Sequence, residues 1–442
     1  MSALSSSVLW PLLLNFQPLF TSPSFATFVQ LATGALVNTG RQTVCNMIRT
    51  LPVIPKHFTA YHRFFRTARW SLFRAGQVLA WLILDALPEE QPVRLVVDDT
   101  TFRRKGSHVY AGASHRDAVR SSRKHPAWCR GHKWLVISIL LPLPGITRPW
   151  ALPVLVLLVP PKTHPKYRKP VDLTITGMRL LLRWCPRRSF VLTGDYAFAA
   201  HRMARFIHSQ PRAALVSRFH PDAALFQPPT PRKGPGRPRI KGERLPTPAQ
   251  CAGQPNAPWV ETVLPWYGGR TVTVQLLTGT GCWYHSGQGI VPVRWVVVRR
   301  HGARDECFYT TEPAMPPADI VRHYIDRWAI EVTFEETRRH LHIEHTEVWT
   351  QRPVQRLVPC LFALFSLTVL AVQKHLQDHS LPSTTPFPWY NKPEPTYADV
   401  IAHLRVQQLE QLYFSLPHQK QRLPKNIRDR FKPILRLASH AA

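Results

Sequence analysis

The sequence is short of acidic residues, of paired cysteines and of uninterrupted apolar runs. Only 26 Asp and Glu stand against 57 Lys and Arg, a formal charge of +31 over 442 residues. A surface with that surplus carries a positive field that concentrates polyanions. The seven cysteines (Cys45, Cys129, Cys185, Cys251, Cys282, Cys307, Cys360) are scattered, odd in number and include no CxxC pair. Neither a structural zinc nor a disulfide framework is expected, and a reducing cytoplasm fits. The longest apolar stretch, 134–160, is cut by Pro142, Pro144, Gly145, Arg148, Pro149 and Pro153, so it reads as two buried strands and no membrane partner is expected. Residues 8–20 are apolar, yet no Lys or Arg precedes them and Pro11 and Pro18 interrupt them, so a secretory signal is not expected. The 21 histidines show no HExxH motif and no clustered pair, and none is read as a metal ligand.

What is present is enough apolar material, 44% of residues with 10% aromatic, for a well-buried core. Residues 24–37 have helical periodicity; Asn38, Thr39 and Gly40 break it before a second short helix at 41–49. Helix, turn, helix is the outline of a DNA-reading helix pair with Arg41, Gln42 and Thr43 at the start of its second helix, and equally of a plain helical hairpin. Residues 57–87 place Arg63, Arg66, Arg69 and Arg74 among Phe64, Phe65, Trp70, Phe73 and Trp81, an amphipathic helical region with a basic face.

From residue 93 the pattern changes. A short apolar run, 93–97, ends in Asp98 and Asp99; strand candidates follow at 134–141 and 151–159, then a helix at 174–184 and a strand at 189–193 that stops before Asp195. A helix at 198–208 and a strand at 213–218 complete an α/β pattern with a ribonuclease H-like mixed sheet. Residues 219–251 shift to Pro, Arg, Lys and Gly, and β-rich runs follow at 259–266, 271–278, 291–300 and 307–311. Residues 317–341 are strongly helical, 357–377 form a nearly uncharged and hence buried helix, and a last helix spans 397–412. The expected organisation is a helical N-terminal DNA-end-binding domain (1–90), a first core part (91–222), a basic loop and β-rich insertion that splits the sheet (223–312), the last core part with the Glu helix (313–380), and a Pro-rich linker with a helical, basic tail (381–442).

Three carboxylates on separate elements stand out: Asp99 and Asp195 at strand ends and Glu331 on a long helix. Such a set suits hard cations, because Mg²⁺ takes oxygen ligands and keeps waters and phosphate oxygens in its other positions. Strand-end Asp residues taken singly are common turn formers. The helix is more specific: Tyr324, Arg327, Glu331 and Arg338 fall at i, i+3, i+7 and i+14, one stripe of a helix. A Tyr, two cations and a carboxylate on one face make sense together against a phosphate and a metal. Two assignments stay open. Asp98 is an alternative to Asp99, since adjacent strand residues face opposite sides, and Glu335 shares the stripe with Glu331.

The stretch 324–338 resembles the Tyr-Arg-Glu-Lys signature of cut-and-paste DDE transposases from bacterial insertion sequences, with Arg338 in place of Lys. "VVDDTTF" (96–102) resembles that family's first-acid motif, an Asp followed by Thr, and "LTGDY" (192–196) its second; the similarity spans about residues 57–378. The resemblance implies Asp99, Asp195 and Glu331 as catalytic, metal-binding triad for two Mg²⁺ ions, with Mn²⁺ as a substitute. It implies Tyr324, Arg327 and Arg338 as DNA contacts. It further implies excision of a DNA element at its terminal inverted repeats, joining of the freed 3′ ends to target DNA, a homodimer in the synaptic complex, and a place in the bacterial cytoplasm at the nucleoid. Arg338 keeps the charge of the family's Lys but not its contact geometry.

The run at 232–242 contains Gly236-Arg237-Pro238 and Arg239 and resembles an AT-hook, which lays arginines in a narrow minor groove; a flexible charged loop reads the same way. Cations crowd 103–133, and Lys162, Lys166, Arg168 and Lys169 form a second cluster suited to phosphate contacts. Trp266, Trp283 and Trp295 lie in the insertion, where members of this family stack an aromatic on a flipped base; most such Trp residues are core. A non-catalytic DNA-binding protein derived from a transposase is the alternative reading, and the intact triad argues against it. A ribonuclease or resolvase-type nuclease would share the acids without the stripe or the insertion.

Overall fold

The computed structural model describes residues 7–117, 120–122, 124–230, 239–378 and 394–414. Its N-terminal part is helical: α1 (Trp10–Leu13), a 3-10 turn, α2 (Ser22–Val37), α3 (Val44–Arg49), α4 (Phe58–Arg66) and α5 (Leu72–Leu84). Thr43 and Ser71 begin α3 and α5, their hydroxyls accepting from the backbone N–H of Asn46 and Arg74. That cap places Arg41, Gln42 and Thr43 before the second helix rather than in it. Gln42 is fully buried and donates to the carbonyls of Ala35 and Asn38, so it ties the two helices together and does not face bases.

The chain then runs β1 (Val93–Arg103), β2 (Ala113–Arg116), β3 (Trp128–Leu141), β4 (Trp150–Val159), α6 (Pro170–Trp184), β5 (Phe190–Gly194), α7 (His201–His208) and β6 (Ala213–Arg218). The inserted part holds β7 (Leu225–Phe226), α8 (Pro248–Ala252), β8 (Val260–Pro265), β9 (Thr271–His285), β10 (Gly289–Arg299) and β11 (Glu306–Thr310). Helices α9 (Pro317–Asp326), α10 (Trp328–His340), α11 (Gln351–Asp378) and α12 (Tyr397–Phe414) close the fold.

Strands β4-β3-β1-β5-β6 lie side by side; β3 is antiparallel to β1 and β4, while β1, β5 and β6 are parallel. This is the ribonuclease H-like mixed sheet the sequence implies. The β-rich segment does not form a layer of its own. Its strand β11 pairs antiparallel with β6, Phe308 opposite Arg218 and Thr310 opposite Val216, so the described insertion strands extend the same sheet to eleven strands.

Both faces of β3 and β4 are covered, which is why they are apolar almost without alternation. Pro153 sits where the β3–β4 register shifts, a bulge that tolerates a residue lacking an N–H. The N-terminal helices share one apolar core with β1, β3, β4 and α11. Helix α11 contains a stretch, Gln351–Gln373, long and apolar enough to cross a membrane, but 72% of it is buried inside the protein against β4, α4 and α5; it serves as the core helix. A smaller apolar cluster, with Val216, Leu264, Val296, Phe308 and Ile320, lies under α9.

Two contacts fix which helices cover which face of the sheet. Val97 and Ile137 are directly opposite each other on β1 and β3 and so share a face. A Cβ on Gly177 of α6 would come within 2.5 Å of the Ile137 side chain, so α6 lies close against that face. On the other face, Arg94 of β1 pairs with Asp326 at the end of α9.

Candidate active site

Strand β5 ends at Gly194, which pairs with Val97 of β1. Beyond that point β1 has no β5 partner, and the carboxyl ends of the two parallel strands diverge from the shared ladder. Open α/β sheets place ligands at such strand ends. Asp98 and Asp195 both occupy positions just past the Val97–Gly194 pair. Asp195 caps the one-turn helix Tyr196–Phe198, its Oδ1 accepting from the Ala197 N–H at 2.9 Å. The fully buried Ser217 hydroxyl, which the sequence did not single out, holds the backbone there by lying 2.9 Å from the carbonyls of both Gly194 and Asp195.

Alternation along β1 sends Asp98 and Asp99 to opposite faces. Asp98 shares a face with Arg94, Thr100 and Phe102, toward α9 and α10. Its Oδ2 accepts from Arg327 Nη1 at 2.8 Å and its Oδ1 from the Asp99 N–H at 2.8 Å. Arg327 Nη2 donates in turn to Glu331 Oε1 at 2.7 Å. Asp99 instead meets Lys133 Nζ at 2.9 Å on the face of Val97 and α6. Of the two adjacent acids, Asp98 lies on the side of β1 that the helix carrying Glu331 covers, and Asp99 lies on the other.

The electrostatics follow from burial. Asp98 is pushed up to about 7: desolvation raises it most, Asp195 and Asp99 add to that, and Arg327 opposes it. Burial acts to lower the pKa of Arg327, but Asp98, Tyr324 and Glu331 outweigh it and the guanidinium is held charged. The result is a 7% exposed cation between two carboxylates, with the negative charge of Asp195 close by.

The remaining members of the stripe are placed differently from one another. Tyr324 is 4% exposed, its ring 4.4 Å from that of Phe308, with the guanidinium carbons of Arg218 and Arg327 at 5.6 and 5.5 Å from its centroid. Burial raises its phenol pKa. Arg338 turns back to β1, donating to the Thr100 hydroxyl and lying 5.1 Å over the Phe102 ring, with Nε 3.6 Å from Glu344. Glu335 points outward and pairs with Arg339 at 2.7 Å, both more than half exposed; it stands apart from the acids. Of the AT-hook-like pair, Arg237 lies outside the described residues and Arg239 is exposed. Two residues later Lys241 is held between the rings of Phe226 and Tyr284 at 4.1 and 4.2 Å.

The insertion tryptophans are mainly structural. Trp295 is 5% exposed, and Trp283 packs among His201, Phe219 and Tyr309. Trp266 is half-buried under Arg300. Aromatics that reach solvent beside the site include Tyr196, next to Asp195 and 58% exposed, Trp328, 48% exposed, and Tyr267 in edge contact with Trp328 at 5.8 Å. Trp328 gives no periodicity signal, since it lies between the buried Arg327 and Ala329.

As a metal site the donor chemistry fits. Asp98 and Asp195 are hard oxygen donors whose mutual repulsion a divalent cation relieves. Glu331 is engaged by Arg327, and among the described residues no three His, Cys, Asp or Glu side chains stand close enough to hold one ion as placed.

Residues 15–280 match the family model described as DDE superfamily endonuclease, a span that includes Asp98, Asp99 and Asp195 and ends before Glu331. No curated protein matches. Among solved structures, a cryo-EM structure of the piggyBac transposase synaptic complex with hairpin DNA is similar at 11% identity and a TM-score of 0.41, over 98% of this chain and 82% of that one. The family match covers more than half of the sequence, and the chain belongs to the DDE superfamily endonucleases.

Proposed function

We propose that this endonuclease is a DNA transposase, and that Asp98, Asp195 and Glu331 are its catalytic carboxylates. The observation that carries the reading is the grouping of Asp98, Arg327 and Glu331 beside Asp195 at the open carboxyl end of β1 and β5. In this reading Asp98 and Asp195, joined by Glu331, bind Mg²⁺ or Mn²⁺. The bound cations, two in the full reaction, supply activation of the attacking oxygen and stabilisation of the leaving one. Arg327 opposes the burial that raises the Asp98 carboxyl and would offer a positive charge to the scissile phosphate. In strand cleavage water attacks phosphorus, the bond from phosphorus to the 3′ oxygen breaks, and that oxygen leaves as a 3′-hydroxyl. In strand transfer the freed 3′-hydroxyl replaces water as the attacking group.

In this reading the exposed Trp328 and Tyr267, in contact with each other, stack on bases beside the reacting phosphate. Binding of terminal inverted repeats, a dimer that pairs two ends, and a place in the bacterial cytoplasm complete the reading.

The test is incubation of the purified chain with Mg²⁺ and DNA bearing its own element's ends, alongside Asp195→Ala and Asp98→Asn. New 3′-hydroxyl ends with wild type and none with either variant are expected. If wild type cuts nothing, or both variants cut as well as it does, the reading is wrong.

A further inference from the structure

Helices α6 and α7 face each other across an open cleft of about 380 Å³ whose lining includes neither Arg327 nor Glu331. Helical spacing builds it. On α6, Asp172, Ile175 and Arg179 recur at i, i+3 and i+7; on α7, Arg202, Arg205 and Phe206 fall at i, i+3 and i+4, and Ser209, the residue that caps its end, at i+7. Arg168, in the loop leading into α6, completes the lining.

Four guanidinium groups therefore line the cleft against one carboxylate. Asp172 pairs with Arg202 at 3.0 Å, which leaves three positive charges uncompensated. Arg168 donates only to neutral acceptors, the Thr176 hydroxyl at 2.9 Å and the Asp172 carbonyl. Arg179 lies 5.2 Å over the Phe206 ring, which fixes its plane without neutralising it. Arg205 is exposed and its side chain has no hydrogen bond or ion pair among the described residues. The exposed Lys162, Lys166 and Lys169 precede α6 and extend the same basic surface. Like charges gathered in a concave site weaken the fold unless an anion shares it. Guanidinium groups held by an aromatic face and a hydroxyl are oriented for phosphate oxygens.

We propose that the α6–α7 cleft is a second docking surface for the phosphodiester backbone of duplex DNA, separate from the one at the acids. Gly177 packs α6 on the Ile137 face of the sheet, whereas Arg327 and Glu331 stand on the Asp98 face. The cleft thus takes a stretch of DNA away from the scissile phosphate, and its contacts add affinity without sequence preference. The proposal rests on the DNA-binding part of the functional reading above.

The test is fluorescence anisotropy of a labelled duplex of arbitrary sequence with the full chain, titrated at several salt concentrations. The proteins are wild type, R205Q and the R179E/R205E double variant, each checked for folding by circular dichroism. Each lost phosphate contact lowers the slope of log affinity against log salt by about 0.9. R205Q is expected to lose about one such unit and the double variant about two, with affinity down about 10-fold or more near 0.1 M salt. Affinity and slope unchanged in folded R205Q and R179E/R205E would overturn the cleft while leaving the endonuclease reading intact. A wild type that binds no duplex would overturn both.

Discussion

Asp98 and Asp99 are neighbours in sequence and opposites in setting. Asp98 is half-buried among an arginine and other carboxylates, accepts two hydrogen bonds, and is pushed up to about 7. Asp99 stands on the other face of the same strand beside Lys133 at 2.9 Å, in a partly exposed ion pair. A one-residue step along a strand separates a carboxylate with an arginine-bridged partner from one with an ordinary surface counter-charge. The difference lies in which helix covers which side of the sheet.

The largest effect that would break this comparison is on strand cleavage. Asp98→Asn is expected to lower kcat/KM on the order of 10³-fold or more, the scale for a group acting on developing charge, with Asp195→Asn equally severe. Asp99→Asn is expected to stay within about 10-fold, as loss of a partly exposed pair costs about 1 kcal/mol or less. Equal inactivation by Asp98→Asn and Asp99→Asn in a cleavage time course would remove the distinction between the faces.

The sequence made much of this legible. Apolar runs ending in Asp98-Asp99 and before Asp195 marked two strand ends of one sheet, and the helical spacing from Arg327 to Glu331 marked a carboxylate one turn from a cation. Alternation alone also showed that Asp98 and Asp99 part company. It did not show which face the Glu331 helix covers, because that depends on the packing of α6 against Ile137 and of α9 near Arg94. The Asp-Thr motif pointed to Asp99 instead. Tyr324 read as part of a polar stripe; it is buried because β11, far away in the pattern, places Phe308 against it. Arg338 read as a free phosphate contact and is tied to Thr100, a long-range pairing that no local spacing encodes. The basic cleft was visible only as a charge cluster around Lys162, since its other wall comes from α7.

Arg327 sharpens the comparison next. It bridges Asp98 and Glu331 through two nitrogens, a geometry that needs a planar fork. Arg327→Ala is expected to lower kcat/KM about 10- to 100-fold, and Arg327→Lys to recover little of it. The measurement is single-turnover cleavage at saturating Mg²⁺; full recovery by Lys would mean that charge alone matters at this position.

A third expectation concerns stability without metal. The folded-state pKa of Asp98 is raised to about 7 against an unfolded value near 4. Folding therefore binds a proton between those values, so this carboxylate's contribution is fully present below about pH 4 and is lost as pH rises toward 7. Its share of the slope is at most about 1.4 kcal/mol per pH unit. Urea unfolding of wild type, Asp98→Asn and Asp99→Asn across that window should show the slope shrinking in Asp98→Asn. The slope is the readout, because Asp98→Asn also deprives Arg327 of a carboxylate. If Asp99→Asn flattens the curve instead, the two residues have been assigned to the wrong faces.

The smallest effect tests the other face directly. Lys133 and Asp99 are 32% and 21% exposed at their side chains, so water screens the pair and the attraction must also hold a long lysine in place. A double-mutant cycle of Lys133→Ala and Asp99→Asn, read by urea unfolding, should give a coupling of about 0.2 to 1 kcal/mol, and Lys133→Ala should cleave DNA within about 5-fold of wild type. A coupling well above that range, or loss of cleavage in Lys133→Ala, would mean that the Asp99 face is itself part of the reacting site. The contrast would then be between two halves of one centre, with β1 running between them.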